Sequence, residues 1–480
     1  MIRRGRVEGW LKRSVDALPA WAEFNGIKFN GIRVGPMPGF EHRGSTVIAT
    51  RDLDGVNEDA LMVIPKDLVL SRQNVEFAAK SDTHLRQVLE AAGVFARTSR
   101  GAILIFLLMQ ATIACPDIKD IGVHTPLTEY IKFLPDELLP TFWTEEEQEL
   151  LEGTTLRVAL RAKMNSLLRE FEAFRAATEN IAWCAKYWWS EEGGYLDFDD
   201  WMRIDAMYRS RALEFPGVGD CMVPGVDMAN HASGNFTAAH YESDENGDGV
   251  LLLREDRKVA RDGEITITYG DDKGACENIF SYGFTESTMV AAKVMFLEIE
   301  LPDDDPLAPA KRAVNTAAPG FRLYEKNDRI EWESDFVWLI AVNEEDGLDF
   351  KVKQTIDGHR EIQAFWKQCE LDDTSKLRSH LQLEPLWDIY QLRVVVLIQG
   401  AIDSRLHRLR TLGEPARTKS VRQGPWELAA QLRSLESDML EQALIHLEDQ
   451  KAAIFQSDTV RKYLGLDEES TEGEEEIDFS

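Results

Sequence analysis

Three short segments of this chain carry side chains with more chemistry than a core requires. In VPGVDMANHASGNF, Val223 to Phe236, an acid, an amide and an imidazole (Asp227, Asn230 and His231) fall within five residues. The segment is too polar for a plain core strand, and it has neither a Gly-rich phosphate loop nor a cysteine. Asp227 and His231 stand four apart, so on a helix they would face one way as metal ligands. No third ligand follows at a diagnostic spacing, because His240 and Asp244 are irregularly placed, and no metal is expected. A second segment, YRSRALEF (Tyr208 to Phe215), offers Ser210 and Arg211. The third, ITITYGDDKGACENIFSYGF (Ile265 to Phe284), offers Tyr269, Tyr282 and Phe284. Singly, a tyrosine after an alternating strand is a sheet residue and a lone histidine a hydrogen-bonded structural one. Only the combination carries information.

Strands and helices must hold these segments. STVIATRDL and ALMVIPKDLVLS read as strands rich in β-branched residues, closed by Pro65 and Ser71. From about Asn74 to Trp201 the pattern is helical, and Thr144 followed by Glu147 fits a capping box. AILIFLLMQATIAC (Ala102 to Cys115) is the most apolar run. It is too short to span a bilayer and reads as a buried helix. GVLLLREDRKVARDGEITITYG alternates as a hairpin turning at Asp262-Gly263. Short strands therefore flank a helical insertion, which implies one β-rich domain interrupted in sequence. LPDDDPLAPA (Leu301 to Ala310) is the expected domain joint. Beyond it the pattern is mainly helical, ending in an acidic tail expected to be disordered.

Composition narrows the partners. With 480 residues the chain has room for two or three cores. Its net charge of −30 is only partly due to the tail, so the body is acidic; this argues against nucleic acid and favours a basic partner. The five cysteines are far apart with no Cys-x-x-Cys, as expected in a reducing compartment. The basic start lacks a signal-peptide apolar core. A soluble, cytoplasmic or nuclear monomer without a membrane partner is expected.

Together and in this order, the segments resemble the SET-domain protein methyltransferases. The likeness is to the branch typified by the Rubisco large-subunit lysine methyltransferase, whose SET domain is split by a helical insert. HRGSTVIATRDL (His42 to Leu53) looks like the opening SET motif, and YIKFLPDELLPTFWTEEEQELLEGTTL (Tyr130 to Leu156) like the branch's insert. SRAL, VPGVDMANH and ITITYG…YGF follow in family order. The resemblance implies an α+β SET fold of short sheets with a pseudoknot and a helical insertion, followed by an all-α C-terminal domain. The expected parts are residues 1–73 and 202–300 as the split SET domain, 74–201 as the insert, 301–465 as the helical substrate-binding domain and 466–480 as tail.

The resemblance also implies S-adenosyl-L-methionine as methyl donor and a protein lysine as acceptor. Asn230, the backbone of His231, Arg211 with Ser210, and the opening residues Arg43, Gly44 and Ser45 would hold the donor. Arg211, Phe215, Asp227, Tyr241, Tyr269, Tyr282 and Phe284 would line the lysine channel, with the Tyr269 hydroxyl at the reacting centre. A free lysine of pKa about 10.4 is protonated at neutral pH. The donor's positive sulfur and burial both lower that pKa, so no strong side-chain base is required. Aromatic walls suit a methylated ammonium through cation–π attraction, and Phe284 in place of a tyrosine would leave room for further methyl groups.

Two departures from the family pattern stand out. RGSTVIA carries extra polar residues after its glycine, and Ala275, followed by Cys276, Glu277 and Asn278, stands where the family has an asparagine. The expected acceptor is a non-histone basic protein such as a ribosomal protein or translation factor. A histidine acceptor, or a SET fold that binds without catalysis, are the alternatives.

Overall fold

The computed structural model describes residues 1–39, 44–136, 139–191, 194–302, 304–315, 317–327, 329–354, 360–413 and 416–466; the acidic tail beyond Leu466 lies outside them. The chain divides into two compact units. One comprises Met1–Trp143, Ala159–Asp271 and Ile279–Phe284, the other Thr144–Val158, Asp272–Asn278 and Thr285–Ser480.

In the first unit, among the described residues, eleven short strands form small sheets: β1 (Lys28–Phe29), β2 (Ile32–Pro36), β3 (Ser45–Ala49), β4 (Leu53–Asp54), β5 (Met62–Ile64), β6 (Leu213–Phe215), β7 (Gly219–Cys221), β8 (Ala239–Ser243), β9 (Gly249–Leu253), β10 (Lys258–Val259) and β11 (Glu264–Ile265). Their orders are β1-β5-β9-β8, β11-β3-β2, β10-β4 and β6-β7, and every pairing is antiparallel. β3 owes its place to consecutive β-branched residues, with Val47 and Ile48 wholly buried.

The expected hairpin across Asp262-Gly263 is corrected by this pairing. A turn does form there, with Asp262 at φ 64° and Gly263 N–H donating to the Ala260 carbonyl at 2.9 Å. Yet β9 joins β5 and β8, β10 joins β4, and β11 joins β3. Alternation specifies which face a residue takes but not its partner strand. Apart from β8, the partners here come from near the start of the chain.

Helices fill the interval between the two sets of strands. The helix Ser99–Ala114 is buried from Gly101 to Ile113, so an apolar surface on every side is required of it. The Thr98 hydroxyl caps it by accepting from Gly101 N–H at 2.9 Å. The helices Arg72–Ala78, Thr83–Ala92 and Phe198–Arg209 pack on it, and it also backs onto β7. The helix Phe198–Arg209 leads straight to Arg211 and is fixed at its end by Asp205, which Arg100 and Lys163 meet at 2.7 and 2.8 Å and Arg209 at 3.2 Å. Burial raises the Asp205 carboxyl, but Lys163, Arg209 and Arg100 more than offset it and hold it below its usual value. Among the described residues no helix is long and apolar enough to cross a membrane.

The second unit keeps the long helices but is not all-α. Two three-stranded antiparallel sheets precede them: β12 (Val294–Glu298), β13 (Gly320–Lys326) and β14 (Arg329–Glu333), then β15 (Leu348–Gln354), β16 (Arg360–Trp366) and β17 (Cys369–Leu371). FRLYEK and LDFKVKQ do alternate, but their outward faces are so charged that the strand signal is weak in a region whose pattern is mainly helical. The helices Trp387–Leu412 and Gln423–Phe455 follow and pack together, antiparallel as the side-chain pairs Gln399–Glu448 and Arg410–Glu441 require.

Glu436, on the second of these helices, is fully enclosed. Its carboxylate accepts from Thr155 N–H at 3.0 Å and from the Thr155 hydroxyl. Burial pushes its carboxyl up to about 7, against the lowering influence of Thr155, Arg405 and Arg433. A folded value above the unfolded one means a contribution fully present below about pH 4 and lost as pH rises through about 7. Glu436→Gln removes that loss. Between pH 5 and 8 the unfolding free energy of the unaltered protein, read from urea titrations, is expected to fall more than the variant's, by an amount on the order of 2 kcal/mol. Equal pH dependence of the two free energies would refute this.

Candidate functional site

Gly225, at φ 94°, opens the turn Val226–Met228; a Cβ there would meet Met62 Sδ at 2.8 Å, so glycine is needed for conformation and for space. After the turn the chain runs parallel to 266–268. Ala232 N–H donates to the Ile267 carbonyl at 2.9 Å and Ile267 N–H to that of Asn230 at 3.0 Å. This ladder brings Asn230 and His231 beside Tyr269. Tyr269 N–H donates to His231 Nδ1 at 2.9 Å, and the Tyr269 hydroxyl donates to the Ala229 carbonyl at 2.7 Å. A ring nitrogen that accepts carries no proton, so the contact selects the Nε2–H tautomer in a neutral imidazole.

Tyr282 is the last residue of the helix Ala275–Tyr282. Gly283, at φ 75°, takes the left-handed conformation that ends a helix and turns Phe284 back. The rings therefore cluster: Tyr269 lies 4.6 Å from Tyr282, 5.2 Å from His231 and 6.3 Å from Phe284, centroid to centroid. Phe215, wholly buried on β6, stacks on Tyr241 of β8 at 5.3 Å. Burial pushes the Tyr241 hydroxyl up to about 12, with Cys221, Tyr282 and Glu214 adding to it, so this wall is a neutral phenol.

Arg211 follows the helix Phe198–Arg209. Its Nη1 donates to the Asp227 carbonyl at 2.7 Å, and Met228 Sδ lies 3.5 Å from it. Ser45 Oγ also lies 3.5 Å from that sulfur, which places the opening motif next to Arg211. Gly44 is exposed at φ 77° with open space where a Cβ would be; Arg43 lies outside the described residues. Asp227 behaves differently from the rest. Its side chain is wholly enclosed, with Oδ1 accepting from Gly225 N–H at 2.8 Å and Oδ2 from the Tyr130 hydroxyl. It therefore faces Gly225, Tyr130 and Arg211 rather than presenting an oxygen outward. Ser210 is turned back on its helix, donating to the Ala206 carbonyl at 2.8 Å.

Sequence reasoning missed three residues that bind this set together. Glu264 Oε1 accepts from Asn230 Nδ2 and from the Thr46 hydroxyl, both at 2.7 Å. Thr46 is one of the extra polar residues of the opening motif, and its burial was the signal that only a structure supplies. Tyr130 comes from the helical insert. At the second departure, Ala275 N–H donates to the Ala292 carbonyl at 3.0 Å. Among the described residues no group of three or more His, Cys, Asp or Glu is placed to hold a metal ion.

No protein-family model matches the chain. SET domain-containing protein 8 of Schizosaccharomyces pombe is 26% identical over 358 residues, covering 72% of this chain and 77% of that protein. Among solved structures, the SET domain of LSMT bound to MeLysine and AdoHcy superposes with a TM-score of 0.66 at 17% identity, over 97% of this chain and 98% of that one. Rubisco LSMT bound to AdoMet gives 0.64 at 18% identity, over the same shares. The chain therefore has the fold of the Rubisco LSMT SET-domain structures.

Proposed function

We propose that the chain is a protein-lysine N-methyltransferase using S-adenosyl-L-methionine, acting on a basic non-histone protein of the ribosomal-protein or translation-factor kind. The observation that carries this reading is the Tyr269 hydroxyl, fixed to the Ala229 carbonyl amid the rings of His231, Tyr282 and Phe284, with Asn230 one residue from His231. The residues present fit the donor. Arg211 offers a guanidinium for its carboxylate, Asn230 and the His231 backbone offer polar contacts, and open space over Gly44 lets a ligand approach the backbone. When bound, the donor supplies an electrophilic methyl group on a positively charged sulfur.

The chain's own residues do the rest. Because the Tyr269 proton is committed to Ala229, the phenol oxygen faces an incoming amine as an acceptor and aligns it. An apolar aromatic enclosure disfavours an ammonium, so the lysine proton leaves to water and the neutral amine is the form that reacts. Neutral phenol and phenyl faces then accommodate the methylated cation, worth about 0.5–2 kcal/mol per good contact. The net charge of −30 supports a basic partner, and residues 301–465 are proposed to select it.

The test is calorimetry with S-adenosyl-L-methionine, followed by incubation with methyl-labelled donor and cell lysate. Saturable donor binding and label recovered on lysine after hydrolysis are expected. No binding at millimolar donor would overturn the reading, and label on histidine would move it to the other acceptor.

A further inference from the structure

We propose that Tyr130 is a positioning residue for methyl transfer: through the Asp227 carboxylate it holds Arg211 and the segment Ala229–His231 in working geometry. This rests on the function proposed above. Tyr130 ends the short helix Pro126–Tyr130 and is 97 residues from Asp227 in sequence. Its ring is wholly buried and stacked on Trp21 at 5.9 Å and 27°, and Trp21 Nε1–H donates to the Pro126 carbonyl at 3.2 Å. The hydroxyl therefore has a set direction, and it donates to Asp227 Oδ2. Asp227 also accepts from Gly225 N–H, and its own carbonyl receives Arg211 Nη1, which stands 3.9 Å from Oδ2.

A phenylalanine at 130 would fill the same space without burying a hydroxyl, and a neutral residue at 227 would spare the cost of burying a charge. Keeping both makes physical sense if a negative charge is needed there, and its positive partner is Arg211. The charged and titratable groups facing the carboxyl are Arg211 and Tyr130, with Cys221 beside Tyr130. Burial pushes the Asp227 carboxyl up, while Arg211, Tyr130 and the Gly225 N–H pull it back. Burial also holds the Tyr130 phenol well above its usual value, so it stays a donor, and it pushes the Cys221 thiol up to about 12.

Removing the phenol hydroxyl takes away one of the groups that keep Asp227 charged. In Tyr130→Phe the carboxyl then accepts a proton at higher pH, and the negative charge it sets beside Arg211 is lost. Methyl transfer by full-length protein is followed from roughly pH 6 to 9 for the unaltered chain, Tyr130→Phe, Asp227→Asn and the double variant. We expect kcat/KM for the donor to fall about tenfold in Tyr130→Phe, with the acid limb of the profile moved up by about one unit. In the Asp227→Asn background Tyr130→Phe is expected to change nothing further. A lowered melting temperature with an unmoved pH profile would mean a purely structural role and overturn the proposal.

Should the unaltered chain transfer no methyl at all, the proposed function fails, and unfolding decides the coupling. A carboxyl whose folded pKa is raised loses stability as pH rises through that value. Tyr130→Phe should thus keep losing stability to higher pH than the unaltered chain. Parallel unfolding curves would overturn the coupling as well.

Discussion

Tyr269→Phe is expected to slow methyl transfer at saturating donor and acceptor by about a hundredfold or more, with the donor's Kd unchanged to within about threefold. The substitution keeps the ring, and with it the packing against His231, Tyr282 and Phe284. What disappears is one oxygen. In the folded protein that oxygen gives its proton to the Ala229 carbonyl at 2.7 Å, so under the proposed function it would meet the amine as an acceptor. Losing the bond costs stability only about 1 kcal/mol, whereas losing alignment of the amine acts on the barrier directly. A general base would show a different signature, because its loss would be relieved at high pH. Under the proposed mechanism, in which water takes the proton, the defect should persist across the pH range. Single-turnover transfer with labelled donor separates the chemical step from binding. Equal single-turnover rates for the two proteins would remove Tyr269 from the centre of the mechanism.

The contrast between what could be read from the chain and what could not follows from the range of each interaction. The helix Ser99–Ala114 was visible because an apolar run with no polar face has only one place to go, and Thr144 with Glu147 because a capping box is written within four residues. In the structure Glu147 N–H meets the Thr144 hydroxyl at 3.3 Å and Thr144 N–H meets Glu147 at 2.9 Å. β10 and β11 were visible as strands, yet their partners β4 and β3 were not, because a period of two says nothing about which distant segment completes the ladder. The strands β13 to β16 were lost in charge. The same limit governs the candidate site. Motif order singled out Asn230, His231, Tyr269 and Tyr282, and the structure gathers them. The links Thr46–Glu264–Asn230 and Tyr130–Asp227–Arg211 each span widely separated segments, and no local pattern announces them.

One of those links yields a second large effect. In Asn230→Asp a donor becomes a charged acceptor at the position where Asn230 Nδ2 now lies 2.7 Å from Glu264 Oε1. Thr46 can satisfy only one of the two carboxylates, since it has a single hydroxyl proton. Two carboxylates that close do not both ionise; the pair takes up a proton with a raised apparent pKa. At pH 8 the pair is forced apart and the segment carrying His231 shifts with it, so donor affinity is expected to fall about a hundredfold, equivalent to about 2.7 kcal/mol. At about pH 5.5 a shared proton restores an O–H···O bond, and much of the affinity should return. Stability carries the same sign: the raised pair is favourable at low pH and is lost as pH rises through its pKa, so the variant's unfolding midpoint should drop from pH 5.5 to 8 more than that of the unaltered chain. Calorimetry at the two pH values reads the first effect and urea unfolding the second. A loss of affinity equal at both pH values would mean that Glu264 does not set the position of residue 230, and the polar link from the opening motif to the Asn230–His231 segment would have no functional weight.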